Sequence, residues 1–192
     1  MPVQGKTIAF LTSPEGIEQA ELTGPWEAVE QAGGRPVLLA TSGGKVQAFN
    51  HLEPADTFPV DRPVAEADPG DYAALVLPGG VANGDALRVD EDAQRFVKAF
   101  FDAGKPVAAI CHAGWVLIEA GAVKGKTLTS WPSLRTDLEN AGASWVDEVV
   151  HVDTSAGWTL ITSRKPDDLD AFCAAIVEEF AAADSAEEDE EA

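Results

Sequence analysis

Cys111 stands between two apolar stretches, Pro106-Val-Ala-Ala-Ile110 before it and one opening with His112-Ala-Gly-Trp115 after it. A buried strand that runs into a cysteine and then straight into a helix places the side chain on a sharp strand-to-helix turn. Such a turn exposes the sulfur and aims the first free N–H groups of the helix at it. The partial positive charge of a helix N-terminus favours the thiolate, which is the reactive form. The same local sequence also suits a buried cysteine that packs as a small hydrophobe. The rest of the chain has to decide between the two.

Strand-like and helix-like segments alternate along the chain, as expected for an α/β sheet with mainly parallel strands. Apolar runs predict strands over residues 7–11, 36–40, 72–77, 106–110, 126–129 and 158–162. A first helix carries Leu22, Trp26 and Val29 and stops at Gly33-Gly34. Asp90 is placed to cap a helix bearing Phe96, Val97, Phe100 and Phe101. Further helices run through Val116 and Leu117, through Leu134 and Leu138, and from Pro166 onward. The last carries Leu169, Phe172, Ile176 and Phe180 on one face, and Cys173 belongs to that stripe as core packing. Residues 45–70 read as strands and a loop of lower regularity.

Ligands of an open α/β sheet gather outside the carboxyl ends of its strands. Three segments reach that edge with useful chemistry. The loop after the first strand carries Glu15, Glu18 and Glu21; the loop after Leu77 carries Gly79 and Gly80; the third is the cysteine turn. Glycines let backbone N–H groups approach a reacting atom closely. A thiol, a carboxyl and free amides are the parts needed for attack on a carbonyl with a hole for the oxyanion.

Leu77-Pro-Gly-Gly80, Ala109-Ile-Cys-His-Ala-Gly114 and Thr162-Ser-Arg-Lys-Pro-Asp-Asp168 together resemble the ThiJ/PfpI superfamily, nearest its PfpI intracellular-protease-like branch. The resemblance covers roughly residues 6–182 and implies a flavodoxin-like, doubly wound α/β/α sandwich with a cysteine nucleophile elbow. It implies that Glu21, four residues before Pro25, hydrogen-bonds the sulfur. A proline at that spacing withholds an N–H and crowds the carbonyl four residues back, and a glutamate beside a thiolate has its own pKa raised. The resemblance also implies that His112 forms a Cys-His pair completed by an acid from a neighbouring subunit, for which Asp85 in Val81-Ala-Asn-Gly-Asp85 is the nearest candidate. The backbone N–H groups of Gly80 and His112 are the implied oxyanion hole. Neighbouring residues on a helix diverge by about 100°, so contact between His112 and the sulfur does not follow from adjacency. Glutaminase chemistry is not implied: Ala109 and Ala113 replace the glycines of a Gly-x-Cys-x-Gly turn, and no His-x-Glu pair occurs downstream of the cysteine.

The chain has 192 residues and a net charge of −20, and six of its 33 acids fall in the last nine positions. The expected organisation is one domain over residues 1–183 and a disordered acidic tail over 184–192. An acidic balance argues against nucleic-acid binding, and an acidic body suits a high-salt host. No apolar run is long enough for a membrane span, and the N-terminus lacks the apolar core of a signal peptide. A cytoplasmic protein without disulfide, metal or cofactor is therefore expected. His51 and His151 lack a comparable context, His151 reads as structural, and Trp115 and Trp131 either line the pocket mouth or pack in the core. The expected function is cysteine-dependent action on reactive carbonyls or glycation adducts, by a homodimer or higher oligomer. Intracellular peptidase activity and redox sensing through the same cysteine are the alternatives.

Overall fold

Strands that are apolar on both sides need helices on both faces of the sheet. The computed structural model, which describes residues 1–183, has that arrangement. The first six strands are β1 (Thr7–Thr12), β2 (Glu15–Glu18), β3 (Arg35–Ala40), β4 (Lys45–Asn50), β5 (Glu53–Pro59) and β6 (Arg62–Pro63). They are followed by β7 (Ala74–Leu77), β8 (Val107–Ile110), β9 (Thr127–Leu128), β10 (Ser144–Trp145), β11 (Val150–Asp153) and β12 (Leu160–Ser163). The helices are α1 (Gln19–Gln31), α2 (Val81–Arg88), α3 (Glu91–Asp102), α4 (Gly114–Glu119), α5 (Arg135–Asn140) and α6 (Leu169–Ala182). The acidic tail expected at 184–192 lies outside the described residues.

The main sheet has the order β11-β12-β8-β7-β1-β3-β6, parallel throughout except for the edge pair β11–β12. Its central strands, β3-β1-β7-β8-β12, follow the flavodoxin-like order, which reverses direction between β1 and β7. Residues 45–59, within the stretch read as strands and a loop, form an antiparallel hairpin, and β2 joins it in a separate small sheet. Alternation along the strands divides the core. Ile8 and Phe10 of β1 pack with Leu22 and Val29 of α1 and with Phe172, Ile176 and Phe180 of α6. Ala9 and Leu11 face the other way, towards Phe96, Val97 and Phe100 of α3 and Leu117 of α4.

Local signals account for the helix ends. Asp90 accepts from the N–H of Ala93 at 2.8 Å and caps α3, while α1 stops where Gly33 takes a φ of 89°. Two expected elements are shorter than their apolar runs. Tyr72 bonds back to Pro69 and leaves β7 to begin at Ala74, and β9 keeps only Thr127 and Leu128. Both cysteines are free thiols, and Cys173 is half-buried on α6, facing α1 beside Gly24. Arg164 and Asp168 explain the last motif in structural terms. Nε and Nη2 of Arg164 donate to the two Asp168 oxygens at 2.8 and 2.9 Å, clamping the turn that leads β12 into α6.

Phe10 is wholly buried, with its ring 5.2 Å from that of Trp26. Phe10→Ala should lower the unfolding free energy by about 3–5 kcal/mol in urea titrations. Leu52→Ala, at a site 90% exposed, should stay within about 0.5 kcal/mol of wild type.

Candidate active site

The segments leaving β1, β7 and β8 meet at the carboxyl edge of the sheet, beside the reversal of strand order. Cys111 follows β8 with a φ of 61°, a left-handed conformation that costs a non-glycine residue about 1–3 kcal/mol. Its carbonyl accepts from the N–H of Trp131 at 3.2 Å, which holds the elbow from behind. Residues 111–113 form a single 3-10 turn, and α4 starts only at Gly114. Glu15 and Glu18, expected in a loop, lie in β2 and pair with β4, whereas Glu21 lies in the first turn of α1. Pro25 is inside α1 and has no N–H to offer the Glu21 carbonyl.

Gly79 is what lets the three segments close up. A Cβ on it would lie 2.1 Å from Oε2 of Glu21 and 2.7 Å from Cβ of Cys111, so no other residue fits. Glu21 is completely buried at this junction. Neither of its oxygens reaches full hydrogen-bond geometry, although the Cys111 thiol and the Gly79 N–H are its polar neighbours. Burial, reinforced by the charge of Glu18, pushes the Glu21 carboxyl up to about 8, so it holds its proton at neutral pH. The thiol is pushed up as well, first by its own burial and then by any charge on Glu21. The backbone N–H groups of Gly80 and His112 act in the opposite direction, and both are aimed at the sulfur.

This corrects the expectation that the turn by itself favours the thiolate. The elbow is buried, and the helix behind it is only six residues long and starts three residues away. At rest the thiol keeps its proton. His112 supplies the means to remove it, because Nδ1 lies 3.0 Å from Sγ. The helical divergence of neighbouring side chains does not apply here, since the left-handed Cys111 turns its side chain out of the helical register. Burial lowers the His112 pKa, which leaves the ring neutral and able to accept a proton. The ring is stacked on Trp131 at 5.6 Å and edge-on to Trp115 at 5.3 Å. Both tryptophans pack against the core and also face the cavity.

The cavity in front of the sulfur measures about 600 Å³ and is mostly apolar, lined by Phe49, Leu52, Val81, Trp115 and Trp131 among others. Asp85, on α2, is exposed at its rim and makes no hydrogen bond to His112 of its own chain among the described residues. His51 also lines the cavity, which the sequence reading missed. It sits at the tip of the β4–β5 hairpin with a φ of 57°, and its N–H donates to Glu18 at 3.1 Å. The approach of a remote hairpin leaves no mark in the sequence around His51. His151 lies away from the site and pairs with Glu148 at 2.7 Å. Among the described residues, no three His, Cys, Asp or Glu side chains converge as a metal ion would need. No helix among the described residues is long and apolar enough to cross a membrane.

The raised Glu21 pKa has a consequence for stability. Its carboxyl ionises near 4.5 when unfolded and near 8 when folded. Its stabilising contribution is therefore complete below about pH 4.5 and is lost as the pH rises through 8. Glu21→Gln should gain stability relative to wild type between pH 5 and 9 in paired urea titrations. Parallel pH curves for the two proteins would contradict a protonated Glu21.

The family model described as DJ-1/PfpI family matches residues 6–179. A Bacillus subtilis (strain 168) protein named "Putative cysteine protease YraA" is 40% identical over 167 residues, 87% of this chain and 94% of its own. A Thermococcus kodakarensis protein named "Deglycase TK1284" is 38% identical over 163 residues, 85% of this chain and 93% of its own. The crystal structure of Drosophila melanogaster DJ-1beta superposes with a TM-score of 0.80 at 29% identity, over 92% of this chain and 90% of that one. The chain belongs to the DJ-1/PfpI family.

Proposed function

We infer that the protein is a cysteine-dependent enzyme acting on small reactive carbonyls or on their adducts with amines and thiols. The observation that carries this reading is the contact between Sγ of Cys111 and Nδ1 of a neutral His112, with two backbone N–H groups facing the same sulfur. A carbonyl carbon approaching the sulfur would draw the thiol proton onto Nδ1 as the S–C bond forms. The carbonyl oxygen would take the electron pair and rest against the N–H groups of Gly80 and His112. The protonated Glu21 behind the sulfur adds no negative charge to repel the developing anion. His112 then returns its proton to the oxygen. For methylglyoxal, addition of water and an internal hydrogen shift gives lactate, a conversion that balances without a redox partner.

The cavity supports this substrate class. Its lining includes no lysine or arginine, whereas Glu18 and Asp85 stand at its edge. A neutral carbonyl suits such a pocket better than a carboxylate-bearing one. The same Cys-His pair also suits thioester chemistry on a peptide, as in the relative named for cysteine protease activity. In that reading Asp85 of one copy completes the site of a neighbouring copy in a homo-oligomer. Redox sensing draws less support, because a buried, protonated thiol is a slow target for peroxide.

Cys111→Ala should abolish lactate formation from methylglyoxal, while Cys173→Ala should retain it within about twofold. Glyoxylate, the carboxylate-bearing analogue, should be turned over at least tenfold less efficiently in kcat/KM. Equal methylglyoxal rates in Cys111→Ala and wild type would overturn the reading.

A further inference from the structure

Gly80 offers its N–H to the sulfur, yet the peptide that carries this N–H lies between two glycines. With no side chain on either flank, that peptide plane rotates more freely than any other in the site. Its orientation decides the chemistry. In a planar trans peptide the carbonyl of Gly79 and the N–H of Gly80 point in opposite directions. One orientation presents a donor to the sulfur. The other presents a carbonyl oxygen, which would repel a thiolate or an oxyanion.

Two donors hold the Gly79 carbonyl on the side away from the sulfur. One is the backbone N–H of Glu18, at 3.3 Å. The other is Nδ2 of Asn83, at 3.2 Å, whose second proton goes to the carbonyl of Pro78 at 3.0 Å. The side-chain oxygen of Asn83 accepts from the N–H of Ser13 at 2.7 Å. Asn83 is entirely buried in the first turn of α2. It thereby ties the segment after β1 to the turn after β7. Its amide meets neither the sulfur nor the cavity, so its hydrogen bonds are spent on backbone geometry alone.

We propose that Asn83 is a positioning residue whose carboxamide locks the 79–80 peptide with the Gly80 N–H directed at Sγ of Cys111. The proposal rests on the reading of Cys111 as the nucleophile and extends it to the residue that keeps the oxyanion hole assembled. Glu18 contributes through its backbone, which no side-chain substitution removes. Asn83 is therefore the part of the lock that can be tested.

The test uses the Cys173→Ala background, so that Cys111 is the sole thiol. Asn83→Leu keeps the number and branching of side-chain heavy atoms and removes the donors and the acceptor, whereas Asn83→Ala leaves room for a water to replace them. Two quantities are read: the pH profile of Cys111 alkylation by iodoacetamide, and kcat and KM on methylglyoxal. In Asn83→Leu the alkylation profile should move to higher pH by at least one unit. Its kcat should fall about 100-fold, as on loss of one oxyanion donor, with KM within about threefold. Asn83→Ala should show the same changes in smaller measure. A purely structural role would lower the urea midpoint but leave alkylation and kcat of the folded protein unchanged, and that result in either folded variant would overturn the proposal. Alkylation needs no substrate, so it judges Asn83 even if methylglyoxal is not turned over by any form of the protein.

Discussion

A protonated carboxyl sealed behind a cysteine is the constraint around which the site is built. Glu21 is wholly buried, in contact with a glycine that no larger residue could replace and with a cysteine in a left-handed conformation. An ionised carboxylate in that place would be costly to bury and would also oppose the thiolate. Keeping the proton on Glu21 removes both penalties. The same burial keeps the sulfur protonated until a base removes the proton, and His112 is the base in contact with it. The site is thus a poised pair, a neutral thiol beside a neutral imidazole, that becomes charged only as a substrate is engaged.

The fold supplies this arrangement through its connectivity. Strand order reverses between β1 and β7, which opens a crevice at their carboxyl ends. The segment after β1 brings Glu21, the turn after β7 brings the glycines, and β8 brings the cysteine. The left-handed φ of Cys111 is strained, and the strain is held by the backbone hydrogen bond from Trp131 and by packing on the Pro-Gly-Gly turn. The small second sheet adds a wall, since its hairpin carries Phe49, His51 and Leu52 to the cavity mouth. Rigid strands thus fix the nucleophile, while loops and the hairpin shape the access to it.

Much of this was legible in the sequence, and the remainder has definable causes. The central strands show as apolar runs ended by glycines, prolines or the cysteine, because a strand buried on both faces admits little else. Cys111, Gly80 and Glu21 were legible through motif order, although Glu21 alone among three nearby glutamates owed its choice to Pro25 and the family resemblance. The His112 contact was not predictable from helical geometry, because one left-handed residue changes where its neighbour points. Asn83 and His51 carried no signal, since their roles depend on segments 70 and 33 residues away that only the tertiary fold brings near. The strand at Glu15–Glu18 was hidden because it pairs with β4, across a helix and another strand. The Thr162–Asp168 motif was correctly located, but its charged residues clamp a turn instead of joining the chemistry.

The protonation state of Glu21 can be observed directly. Infrared difference spectra of wild type and Glu21→Gln, recorded near pH 6.5 and again near pH 9.5, isolate this one carboxyl from the 32 other acids of the chain. At the lower pH the account predicts the carbonyl stretch of a protonated carboxylic acid in an apolar setting, present in wild type and missing from the variant. That band should give way to carboxylate bands as the pH passes about 8. A carboxylate signal from Glu21 already present at pH 6.5 would contradict the account.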